Sequence, residues 1–239
     1  KGADPSVLIN PAAYLIILGG TFSCLFTGFT LEQMRTFPKL IKKTLQPPDN
    51  KPKGELLHLF VELSQIARRE GILALENRIN EIQDPFFSAG LSMVIDGMDP
   101  EFVSDVLEAE LQVMEHRHAE CMSIFVQAGT YAPTLGVLGA VVGLIAALGN
   151  LADIVALGHA ISAAFVATLL GIFTGYVLWL PIANKLKILS QMEIAQKRMI
   201  IEGILSLQAG DSPTAIEAKL MIFIPQTERD LLKSEKVGE

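Results

Sequence analysis

Half of the 239 residues are hydrophobic and 19% are charged, with a formal net charge of −7. That acidic balance opposes nucleic-acid binding, which needs a basic face. The two cysteines, Cys24 and Cys121, have no CxxC spacing, so neither a disulfide scaffold nor a zinc site is expected.

Residues 1–10 precede the first charge-free run and read as an extracytoplasmic loop. Residues 11–30 contain no Asp, Glu, Lys or Arg, and ~20 residues at ~1.5 Å each span a ~30 Å hydrocarbon core. Two more charge-free runs, 121–152 and 154–184, are separated only by Asp153. Each holds a proline, Pro133 or Pro181. A proline at membrane depth needs neighbouring helices, hydroxyls or water to cover the carbonyl it frees. The fold class is therefore all-α: a polytopic membrane protein whose long transmembrane helices extend into a helical cytoplasmic domain.

Lys and Arg placement sets the orientation. Ten of the 19 lie in 31–120 and eight in 185–239, and the 149–158 connection has none. Positive residues stay cytoplasmic. Residues 31–120 and 185–239 are then cytoplasmic, 121–152 and 159–184 form a transmembrane hairpin, and 153–158 is its extracytoplasmic turn.

Gln46 to Lys53 reads as a linker by its proline and charge content. Leu56, Phe60, Leu63 and Ala67 repeat at helical spacing, as do Ile72, Leu75, Ile79 and Ile82 after Gly71. Phe87, Leu91 and Val94 predict a short helix ending near Gly97. Asp99-Pro100 opens the next, with Asp as N-cap and Pro at the first helical position. No strong breaker follows before Gly129, so one helix of ~50 residues is expected from Pro100 to Leu148. His159 to Ala209 mirrors it, Ser212-Pro213 caps a last short helix, and 228–239 is a charged tail.

Ala163, Ala167, Gly171 and Gly175 recur every four residues, as do Gly139 and Gly143, a spacing that lets helices approach closely. This stripe fits either packing of the hairpin on itself or a subunit interface. Thr130, Tyr131, Thr134, Ser162, Thr168 and Thr174 are the hydroxyl candidates for an ion path, with His159 at the outer end. Mid-membrane threonines ordinarily bond their own helix backbone. No span carries a carboxylate, although ion pathways depend on such groups at membrane depth. A titrating group would then come from another chain or from a preceding segment. His116 and His118 lie ~200° apart on a helix, a poor metal site. No phosphate loop or nucleophile constellation supports an enzyme, and no cofactor is expected.

Five segments carry a resemblance: GTYAPTLGVLGAVVGLIAALG at 129–149, LGHAISAAFVATLLGIFTGY at 157–176, WLPIANK at 179–185, RREGILALE at 68–76 and PAAYLIILGGT at 11–21. Together the chain resembles the MotA family, the membrane subunits of the bacterial flagellar stator. The resemblance implies a ring of such subunits around a pair of MotB helices, with the ion-carrying aspartate on MotB, in the bacterial inner membrane. It also implies a further span before Lys1. It assigns Pro133 and Pro181 to conduction and coupling and Thr168 to the hydroxyl facing that aspartate; Tyr131 and Thr134 remain hydroxyl candidates for the pathway. Arg68 and Glu76 match the charged pair that engages the rotor protein FliG. On a continuous helix these two would lie ~80° apart and face one partner. Sodium-driven relatives resemble this chain but carry threonines where it has Ala140 and Ala167, so proton coupling is expected. The alternatives are a sodium-driven stator, an ExbB/TolQ-like envelope transducer, and a membrane scaffold without conduction.

Overall fold

The computed structural model describes residues 10–47, 52–79, 81–149 and 153–230. Among the described residues all regular structure is helical. The chain divides into two compact units: 1–47 with 117–188, and 48–116 with 189–239.

In the first unit, α1 (Pro11–Gly28) is long and apolar enough to cross a membrane. Asn10 caps it through an Ala13 N–H bond to Oδ1 at 3.2 Å. A π-helical turn over Leu15–Gly19 interrupts its ladder. After Phe29 and Thr30 comes α2 (Leu31–Leu45), which the hydrophobic periodicity did not announce. Its start is a capping box: the Gln33 N–H donates to Thr30 Oγ1, and the Thr30 N–H donates to Gln33 Oε1. Pro38 sits inside this helix. Of the expected 46–53 linker, residues 48–51 lie outside the described set, as does 231–239 of the tail.

The second unit begins with α3 (Lys53–Glu70), which buries Leu56, Phe60 and Leu63 as their spacing requires. Gly71, at φ 87°, takes a backbone conformation that a side chain would strain and ends the helix. A 3₁₀ turn over Ile72–Leu75 and the single turn α4 (Glu76–Ile79) follow. Helix α5 (Pro85–Ile95) is capped by Asp84 and closed before Gly97. The core packs Phe60 against Phe87, rings stacked at 4.7 Å, and Gly203 leaves the space the Phe60 ring occupies.

Helix α6 (Pro100–Leu148) runs without a break, its start capped by the Glu101 N–H bond to Asp99 Oδ1 at 2.9 Å. Helix α7 spans Ile154–Gln208 with a π-helical stretch over Thr174–Trp179. Both are long and apolar enough to cross a membrane. One expectation is corrected: residues 154–158 are helix, not turn, and the helix does not begin at His159. Asp153 accepts the Ala156 N–H at 2.9 Å, and an N-cap this strong starts the helix immediately. Gly210, at φ 72°, follows the end of α7, and α8 (Pro213–Leu220) opens on Ser212, which accepts the Ala215 N–H.

Candidate functional site

Within the first unit, the second half of α6 and the first half of α7 meet backbone to backbone. A Cβ added to Gly171 would lie 2.8 Å from the Ala132 carbonyl and 3.0 Å from the Gly136 Cα. One added to Gly136 would lie 2.9 Å from the Ala167 carbonyl. One added to Gly175 would meet the Pro133 ring at 2.7 Å and the Gly129 carbonyl at 2.9 Å. The small-residue stripe thus packs the hairpin on itself along Ala167, Gly171 and Gly175. Its partners on α6 are Gly129 and Gly136, seven residues apart, rather than Gly139 and Gly143. Gly139 meets Ile16 of α1, and Gly143 meets nothing. The Gly129 and Gly136 pairing was readable as one face of a helix, but only once its partner helix was known.

Pro133 has no N–H for the Gly129 carbonyl four residues earlier. That carbonyl points at Gly175, where the missing side chain lets the two backbones come this close. The hydroxyls behave as membrane threonines do. Thr130 donates to the Val126 carbonyl at 3.0 Å, Thr134 to Thr130 at 2.6 Å, Thr168 to Ala164 at 3.0 Å and Thr174 to Leu170 at 2.8 Å. Thr130 and Thr134 are exposed, Tyr131 and Thr168 half-buried, Thr174 buried.

Thr168 opens onto a groove of about 490 Å³ between the hairpin helices, towards the ends where they connect. Ala140, Leu144, Leu148, Leu157, Ile161, Ala164 and Phe165 complete its lining. Every one of these carries an aliphatic or aromatic side chain, so Thr168 supplies the groove's hydroxyl. Ala140 shares the groove with Thr168, while Ala167 sits in the glycine seam at 6% exposure.

Pro181 is exposed, just beyond the π-helical stretch. It cannot donate to Val177, and the Leu180 N–H reaches the Gly175 carbonyl five residues back. A proline is a known cause of such local rearrangement of the helical ladder. The widened stretch carries Trp179 into an aromatic cluster with Phe22 and Phe37, at centroid distances of 6.2 and 5.9 Å. Phe37 also stacks on Phe125 at 4.8 Å. Neither this cluster nor the π turns was legible in the sequence, since each needs contacts distant along the chain.

Within the second unit, Arg68 lies in the last turn of α3 and Glu76 opens α4. Both are exposed. Gly71 and the 3₁₀ turn stand between them, so the ~80° azimuth of a continuous helix does not apply. Leu73, 68% exposed, projects from that turn, while Leu75 is fully buried beneath it. Arg78 braces the segment through ion pairs to Glu62 of α3 and to Glu81, the latter at 3.1 Å. Lys197 of α7 closes it, 2.7 Å from both Asp84 oxygens and 5.0 Å from the Phe86 ring centre. Lys219 of α8 pairs with Asp211 at 2.9 Å and Glu202 at 3.3 Å. The Lys219 ammonium, with help from Ser206 and Arg68, holds the Asp211 carboxyl below its ordinary range. The same contact, with Glu202, pushes Lys219 up. These braces join residues far apart in sequence, and charge spacing alone did not reveal them.

Among the described residues, an all-helical fold with three helices long and apolar enough to cross a membrane, two of them closed into a proline-bearing hairpin, defines a class: a multi-pass membrane subunit. The profile of the MotA/TolQ/ExbB proton channel family matches residues 78–199. Motility protein A of Bacillus subtilis (strain 168) is 50% identical over all of this chain and 88% of its own length. The solved structure of the flagellar MotAB stator complex from Bacillus subtilis aligns with a TM-score of 0.91 at 50% identity, covering 97% of this chain and 91% of that one. The C. jejuni MotAB structure aligns with a TM-score of 0.88 at 32% identity, covering 94% and 88%. The chain belongs to the MotA/TolQ/ExbB proton channel family, and its function is that of a flagellar stator subunit.

Proposed function

We propose that this subunit forms a proton-conducting stator with a MotB-type partner and converts ion flow into torque on FliG. Copies of the chain surround the partner helices in the inner membrane, and the partner supplies the aspartate. The observation that carries the reading is the Thr168 groove: one hydroxyl in an otherwise apolar wall, between two spans without a carboxylate. Pro133, Pro181, Tyr131 and Thr134 couple that wall to the helices on either side.

A charged aspartate at the bilayer centre costs at least ~2.5–3.5 kcal/mol. Protonation removes that cost and weakens its attraction to Thr168, so the two states favour different positions of the wall. Each charge crossing supplies ~2.3 kcal/mol per ~100 mV, enough to bias such a step. Ala140 favours the proton. Sodium needs several oxygens to replace its water, and a methyl group in the groove supplies none. A proton passes along a water chain to a carboxylate.

Thr168→Val keeps the shape and removes the hydroxyl. The expected result is a stator that still assembles, with motility and proton flux both lost. Normal swimming in that variant, or swimming that follows the sodium gradient at fixed proton gradient, overturns the reading.

A further inference from the structure

Helix α2 presents an unusual exposed surface. Arg35, Lys39, Lys42 and Lys43 stand at i, i+4, i+7 and i+8, a cationic row within about 100° of arc. All four are exposed, with one acidic residue, Glu32, beside them. Next to this row runs a second, apolar one. Leu31 is 67% exposed and Leu45 82%, with exposed Pro38 midway between them. The rotation of the helix is fixed from behind, where Met34 and Phe37 are buried and Phe37 stacks on Phe125. Both rows are therefore held outward. Among the described residues, no ion pair engages Arg35, Lys39 or Lys42.

We propose that α2 is a lipid-headgroup clamp: its cationic row binds anionic phospholipid while Leu31, Pro38 and Leu45 enter the acyl boundary of the same leaflet. Three observations favour lipid over an acidic protein. The helix begins two residues after a membrane span, so it starts at the bilayer surface. Apolar and cationic rows side by side fit a headgroup boundary, where long basic side chains extend their charge to phosphate above buried methylenes. Anionic leaflets attract basic clusters at the end of a span. The inference needs only that α1 crosses the bilayer; it stands apart from the roles given to Thr168, Arg68 and Glu76.

The test uses the full-length chain with its partner, reconstituted in phosphatidylcholine vesicles with trace spin-labelled phosphatidylglycerol or spin-labelled phosphatidylcholine. The fraction of each label immobilised at the protein gives a selectivity. One basic residue near an anionic headgroup is worth about fivefold, so wild type is expected to favour phosphatidylglycerol by about fivefold or more at low salt. The preference should shrink in about 0.5 M salt, where the screening length is a few ångströms. The triple variant Arg35→Gln, Lys39→Gln, Lys42→Gln should fall to about equal uptake of the two labels. Glu32→Gln should raise the preference. Lys39→Arg with Lys42→Arg should retain it. A triple variant with wild-type selectivity, a wild-type preference unmoved by salt, or a charge-conserving variant that loses it overturns the proposal. Loss of motility in the triple variant with lipid selectivity intact also overturns it, and assigns the row to an acidic protein surface.

Discussion

Gly171 has no side chain because the Ala132 carbonyl and the Gly136 Cα occupy the space one would fill. These obstructing atoms are backbone, which cannot rotate away. Gly171→Val is therefore expected to force the hairpin helices apart, at about 1–3 kcal/mol or more. The check is the temperature at which the detergent-purified complex loses its assembled peak in size-exclusion chromatography. Gly143→Ala is the control, since its Cβ would meet nothing. Lys197 is a different kind of residue, with 12% of its side chain exposed and both Asp84 oxygens in reach. Lys197→Met leaves a part-buried carboxylate without its cation, a loss of about 1–3 kcal/mol. Adding Asp84→Asn should recover part of it, since breaking such a pair costs more than removing both charges. Denaturant unfolding of single and double variants gives the comparison.

At the scale of elements, the fold was read where local signals sufficed. The Asp99-Pro100 start, the Leu56, Phe60 and Leu63 face, and the Ser212-Pro213 cap all stand as their residues dictate. The start of α7 lies five residues before the expected His159, directly after the Asp153 cap. Thr30 and Gln33 spell the capping box of α2, but Pro38 and scattered charges break the periodicity that would announce the helix. Of the candidate site, residue types and hydroxyl bonding were legible. The pairing of Gly129 and Gly136 with α7 and the Trp179 cluster were not, since tertiary contacts define them.

Helix α8 is tied to α7 by Lys219, and the direction of each pKa fixes how that tie responds to pH. Asp211 is lowered, so its contribution is present above the ordinary carboxylate range and fades as pH falls through the lowered value. Lys219 is raised, so its contribution is present below the ordinary lysine range and fades as pH rises through the raised value. The stability difference between wild type and Lys219→Met is expected to stay flat from about pH 5 to 9 and to shrink at both extremes. Thermal melts of both proteins from acid to alkaline pH test this; a difference that changes between about pH 5 and 9 excludes the assignment.

For the whole molecule, the two units carry different physics. One is close-packed and nearly charge-free along its spanning helices; the other carries exposed charge on a braced, irregular segment. Exposed ion pairs contribute ~0–1 kcal/mol each, weak for holding a fold and suited to contacts that form and release repeatedly. If Arg68 and Glu76 engage FliG as the resemblance implies, exchanging their charges (Arg68→Glu, Glu76→Arg) should impair torque without lowering membrane levels of the protein. Reversed charges on FliG should restore part of it. Bead-rotation measurements on the four combinations provide the readout, and rescue that fails in every pairing removes the assignment.

The glycine seam has one more implication. Where Gly136 and Gly171 touch, no gap remains wide enough for a water molecule, so the paired helices make a dry partition. At that level no hydrated ion passes between the two helices, so the path proposed above runs beside the seam and needs a second wall from another chain.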